Sequence, residues 1–216
     1  MKRKSLTNLY LSIIMLFAFA LWTVLVSFVD VKAIGPNGSQ VGFASLNGAV
    51  HSLTGVHMWL YTVTDWLGLV PVFVAFGFAM LGLVQWIKRK NILKVDLNIL
   101  VLGGFYIIVI FFYLFFEEVV INFRPVLING YLEASYPSST TLLVLCVMPT
   151  ALIQLDMRIK NGLLKKVVKT VIIAFIAFMV LGRLISGVHW ITDIIGGALL
   201  SCGLVLHYKF FAKLNI

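Results

Sequence analysis

Six long apolar runs, separated by short polar segments, divide the chain. The first extends from about Leu6 to Val29. The second opens at Asp65-Trp66 and stops at Lys88-Arg89-Lys90. The third covers about Leu97 to Phe116 and ends in Glu117-Glu118. The fourth starts at Pro137-Ser138-Ser139-Thr140 and fades near Leu155. The fifth covers about Val171 to Ile185, and the sixth about Ile191 to Tyr208. Each is continuously apolar rather than alternating, and most approach the length a bilayer requires, which predicts spanning helices and excludes a barrel. The stretch between the first two runs is more polar. Gly35-Pro36-Asn37-Gly38 marks a turn, and Phe43, Leu46, Val50, Leu53, Val56 and Leu60 then recur at helical spacing among Ser45, His51, Ser52 and Thr54. This pattern predicts a helix lying in the membrane interface between spans one and two.

Composition agrees. Of 216 residues, 61% are hydrophobic and 12% charged, far from a soluble domain. The expectation is an all-α integral membrane protein whose residues 1–216 form one six-span bundle. The first run is long for a signal core and no small-residue cleavage site follows it, so it reads as a span. A net charge of +9 invites a nucleic-acid partner, but its placement argues against one: 14 of the 17 Lys and Arg fall in residues 1–5, 88–96, 156–169 and the tail. Only Lys32, Arg124 and Arg183 fall on the opposite side. That asymmetry predicts cytoplasmic N- and C-termini in a multi-pass cell-membrane protein. Cys146 and Cys202 lie within apolar runs and read as buried free thiols. His51 and His57 read as interfacial side chains, because no carboxylate or Cys lies at metal spacing from them.

The chemistry concentrates between the last two runs, in Gly182-Arg183-Leu184-Ile185-Ser186-Gly187-Val188-His189-Trp190-Ile191-Thr192-Asp193. Charged groups beside hydrocarbon need a partner or a task. On a helix, His189 and Asp193 share a face, so the carboxylate could hold one ring nitrogen and leave the other free to attack. Arg183 could hold an anion beside it. By itself the segment is equally an Arg–Asp pair closing a helix end. The topology adds to it: Arg124, Glu117 and the Pro137-Ser138-Ser139 helix start all fall on the same, extracytoplasmic face. Free N–H groups at a helix start form an anion site, or simply an ordinary cap.

Two arginines, a helix start and a His–Asp pair on one membrane face resemble the type-2 phosphatidic acid phosphatase superfamily, membrane lipid phosphatases with a six-helix core. The family's third motif, Ser-Arg, five residues, His, three residues, Asp, is matched at Arg183, His189 and Asp193, with Gly182 in place of the Ser. The first motif, Lys, six residues, Arg-Pro, is matched at Arg124-Pro125, with Glu117 in place of the Lys. The second, Pro-Ser-Gly-His, is matched at Pro137-Ser138, with Ser139 and Thr140 replacing Gly and His. The resemblance implies that His189 attacks phosphorus, that Asp193 orients it, and that Arg124, Arg183, Ser138 and Ser139 hold phosphate oxygens. It also implies that no metal or other cofactor is needed, and that the His absent at 140 would have protonated the leaving group.

A threonine hydroxyl cannot replace that acid near neutral pH. A lipid alkoxide needs the proton far more than a phosphate leaving group does. The expected substrate is therefore a lipid diphosphate, such as a polyprenyl diphosphate, rather than a simple monoester. Glu117 would repel a phosphate unless it pairs with Arg124 or Arg183, or stays protonated and donates. The alternative from another class is a non-catalytic relative that binds or translocates a phospholipid or polyprenyl phosphate.

Overall fold

The computed structural model describes residues 2–213, with side chains for 6–212. It contains eight α-helices among the described residues: α1 Lys2–Phe28, α2 Ala44–Thr54, α3 Met58–Leu67, α4 Leu69–Arg89, α5 Leu97–Glu118, α6 Ser139–Arg158, α7 Gly162–Ile185 and α8 Ile191–Lys213. Six spans are long and apolar enough to cross a bilayer, with α3 and α4 together making the second, Met58–Arg89. The expected all-α six-span plan is what the chain adopts.

Spans α6 and α8 form the centre, each with half of its most apolar window buried. Small residues permit this. A Cβ on Gly197 would lie 3.2 Å from the Thr141 methyl, and one on Gly203 would lie 2.7 Å from Leu16. Helix α1 therefore packs closely along α8, where Ser12 Oγ donates to the Gly203 carbonyl at 2.9 Å. Around this centre, Phe105, Phe116, Tyr136, Leu142, Val205 and Tyr208 belong to one continuous core.

Several boundaries differ from the sequence pattern. The second span starts at Met58, not Asp65: Thr64 and Asp65 lie within the continuous helix α3, where Thr64 is fully buried and Asp65 faces Arg183 at 3.5 Å. The single interfacial helix expected over 43–60 is two pieces. Helix α2 stops at Gly55, which adopts φ +66°, and α3 restarts after His57. The fifth span begins at Gly162, so Lys165, Lys166 and Lys169 lie on its first turns rather than in a loop. Cys146 is buried as expected, but Cys202 is exposed on the outside of α8, since a thiol is apolar enough to face lipid.

Antiparallel connection separates the two ends of the bundle. At one end lie the Arg89–Asp96 and Lys165–Asp156 ion pairs, at 2.8 and 3.0 Å. At the other, α2, α3, the 119–138 segment and the turn before α8 converge.

Candidate active site

The turn between α7 and α8 carries His189, and its shape depends on glycine. Gly187 adopts φ +69°, and a Cβ there would sit 1.9 Å from the Gly55 carbonyl oxygen. The α2–α3 junction is thus pressed against this turn. His57 N–H donates to the Ser186 carbonyl at 2.9 Å, and His51 Nε2 meets the Gly187 carbonyl at 3.1 Å. Of the two histidines read from sequence as interfacial side chains, His51 braces the turn through its ring and His57 through its main chain. Nothing in their spacing could have shown it, because their partners are backbone atoms more than a hundred residues away.

His189 precedes α8 instead of lying on it. Its Nδ1 is 3.2 Å from the Ser135 carbonyl. A carbonyl only accepts, so the proton resides on Nδ1 and Nε2 carries the lone pair. Nε2 lies 3.2 Å from Arg183 Nη2, a donor. Burial, then the Arg124 and Arg183 guanidiniums, keep the His189 pKa well below the ordinary imidazole value. The ring is therefore neutral, with a fixed tautomer. Asp193 Oδ2 stands 3.6 Å from Nδ1, outside hydrogen-bond reach. It accepts from Trp190 N–H at 2.9 Å, closing the first turn of α8. Ser135, which sequence reasoning missed, is the group that bonds the ring. It acts through its main chain, which no side-chain motif records.

Both arginines reach the same place. Arg183 is 1% exposed and Arg124 8% exposed, and their Cζ atoms lie 5.0 and 5.9 Å from the Tyr61 ring centroid. Buried Arg183 Nε and Arg124 Nη1 have no hydrogen-bond partner, so each guanidinium keeps an N–H unspent beside the imidazole. Such orphans are uncommon in folded proteins and call for a ligand or another cause. The carboxylates beside them are Asp65, 3.5 Å from Arg183, and Glu133, 3.1 Å from Arg124. Glu117 forms no salt bridge among the described residues, so of its two expected states the pairing with Arg124 or Arg183 is not made. It lines a small cavity of about 10 Å³ with Ser135, Pro137, Ser139 and His189. Ser138 is the N-cap of α6, where its Oγ accepts from Thr141 N–H, so the ordinary-cap reading of that side chain describes the geometry. Thr140 is buried against the α3–α4 bend; its methyl is 3.6 Å from where a Cβ on Gly68 would lie.

The constellation of residues 117–193 is thus assembled at one end of a six-span bundle. The PAP2 superfamily model matches residues 104–215, half of the chain. The chain belongs to the PAP2 superfamily. The fold is similar to a solved structure described as the first transmembrane PAP2 type phosphatidylglycerolphosphate phosphatase from Bacillus subtilis, with TM-score 0.62 and 20% identity over 96% of this chain and 98% of that one. None of the curated protein sequences compared matches significantly.

Within the PAP2 frame, one departure has a local explanation. A Cβ at Gly182, where the family has Ser, would lie 2.7 Å from the Thr64 methyl. Thr64 occupies the space of the missing side chain. Gly182→Ser alone should destabilise the protein by about 1–3 kcal/mol through overpacking, and Thr64→Ser made with it should recover part of that loss. Thermal unfolding of the four variants in detergent measures the coupling; additive effects would contradict the contact.

Proposed function

We propose that this chain is a lipid phosphate phosphatase with a histidine nucleophile, acting at the extracytoplasmic leaflet and favouring diphosphates. The observation that carries the reading is the His189 ring: Nδ1–H committed to the Ser135 carbonyl, Nε2 unprotonated and 3.2 Å from a buried guanidinium. In the first step the Nε2 lone pair forms an N–P bond to the terminal phosphorus, and the bridging P–O bond breaks with its electron pair leaving on the departing lipid phosphate. The arginines hold the equatorial oxygens as charge shifts. The phosphorylated ring keeps its Nδ1 proton and is cationic, and the Asp193 carboxylate at 3.6 Å opposes that charge. In the second step a water oxygen attacks phosphorus, the N–P pair returns to Nε2, and Glu117, on the wall of the same cavity, accepts the water's proton.

The tail has a route. A cavity of about 660 Å³ lies between α4 and α5, lined by apolar side chains and by Gly82, Gly103 and Gly104. Ile99, Gly103, Tyr106 and Ile110 form its α5 wall, and the same helical face continues to Tyr113 and Glu117 beside His189. From residue 99 to 117 this stripe is about 27 Å long at 1.5 Å per residue, close to the full hydrocarbon thickness. The cavity itself ends at Ile110 on α5, about 17 Å from residue 99, so it suits a lipid tail whose head lies farther along the same stripe.

The test is phosphate release by the purified chain from a panel of lipid mono- and diphosphates across pH. Because the folded-state imidazole remains neutral below the usual pKa of about 6.5, kcat/KM for a diphosphate should hold through pH 6.5, with its acid limb lower. No release from any member would remove the enzyme reading and favour the carrier-binding one. Turnover insensitive to tail length would remove the role of the cleft.

A further inference from the structure

The two guanidiniums that would hold a phosphate already face carboxylates of this chain. The two guanidiniums are buried and fixed, whereas the Asp65 and Glu133 side chains are 56% and 42% exposed. Neither pair is bidentate: Asp65 meets Arg183 through one oxygen at 3.5 Å. Glu133 meets Arg124 Nε at 3.1 Å without the alignment of a hydrogen bond. Tyr61 covers both guanidiniums from the same helix that carries Asp65, one turn away.

We propose that Asp65 and Glu133 are specificity-determining stand-ins for substrate oxygens, held on the arginines until a headgroup of sufficient charge displaces them. This deepens the phosphatase reading and rests on the arginine pair being its phosphate site. The consequence is selective. Each displaced carboxylate is an opposing charge that the incoming anion must outcompete. A diphosphate carries more charge and more oxygens than a monoester and displaces the pair more readily. An arginine site without these carboxylates would take both classes more evenly. Loosely held, exposed carboxylates can swing into water at small loss, which is what a displaceable group requires.

The experiment measures binding of inorganic pyrophosphate and orthophosphate to the full chain in detergent, by calorimetry, for wild type, Asp65→Asn and Glu133→Gln. Asp96→Asn, at the far end of the bundle, serves as the control. Each site variant should bind orthophosphate about fivefold more tightly, the scale of one exposed ion pair. The pyrophosphate-to-orthophosphate affinity ratio should narrow, and KM should fall with kcat nearly constant. Unchanged or weaker orthophosphate binding in both variants would overturn the proposal and leave the carboxylates as supports that position the arginines. Binding is read without turnover. Anion binding that tightens in the variants, with no hydrolysis by any of them, would sink the phosphatase reading alone.

Discussion

His189→Ala should reduce phosphate release from a lipid diphosphate by about four to six orders of magnitude, the scale seen when a covalent nucleophile is deleted. Alanine, however, also strands the Ser135 carbonyl and Arg183 Nη2, which bond the ring in the folded protein. A buried group left without its partner destabilises by about 1–3 kcal/mol, so loss of turnover could be confused with loss of fold. His189→Asn separates the two, since its amide can donate on one side and accept on the other. We expect it to lose turnover as completely as Ala while unfolding closer to wild type. Pyrophosphate affinity should fall little in either variant if, as proposed, the guanidiniums of Arg124 and Arg183 bind it. Wild type quenched during turnover should carry acid-labile phosphate on the protein, and neither variant should. Release by His189→Asn within tenfold of wild type would remove the imidazole from the chemistry.

The parts of this site that the sequence revealed and the parts it hid differ for a physical reason. Arg183, His189 and Asp193 lie within eleven residues, and their spacing is fixed by one turn, so a linear pattern captures them. The six spans were legible because hydrocarbon imposes long apolar runs. Ser135 was hidden because it contributes a carbonyl. Tyr61 and Asp65 were hidden because a carboxylate beside an apolar run has the pattern of a loop end. In fact Asp65 lies within a span, and its neighbour Thr64 packs against Gly182. The only available signal was the four-residue spacing of Tyr61 and Asp65, which places both on one helical face. Gly182 and Thr64 show the same limit from the other side: the missing serine is compensated by a methyl from a helix more than a hundred residues away.

The discrimination between leaving groups should be the second large effect. Wild type should turn over a lipid diphosphate about 10²–10⁴ times faster than the corresponding monoester, the usual contribution of a positioned general acid. The monoester must expel an alkoxide, and the residue that would protonate it in the family is here Thr140, a hydroxyl that can only hydrogen-bond. The diphosphate expels a lipid phosphate that leaves as an anion unaided. Position 140 lies on the first turn of α6, next to Ser139 on the cavity wall, and Gly68 presents no side chain on its other flank. Thr140→His should raise monoester turnover by at least about tenfold and leave diphosphate turnover nearly unchanged. The asymmetry is the diagnostic part. A mutation that merely improved packing or phosphate binding would lift both substrates together, whereas a new acid helps only the substrate whose leaving group lacks a proton. Wild-type monoester turnover equal to that of the diphosphate would mean that another group, Glu117 foremost, already supplies the proton, and the preference for diphosphates would then have no basis in the chemistry at position 140.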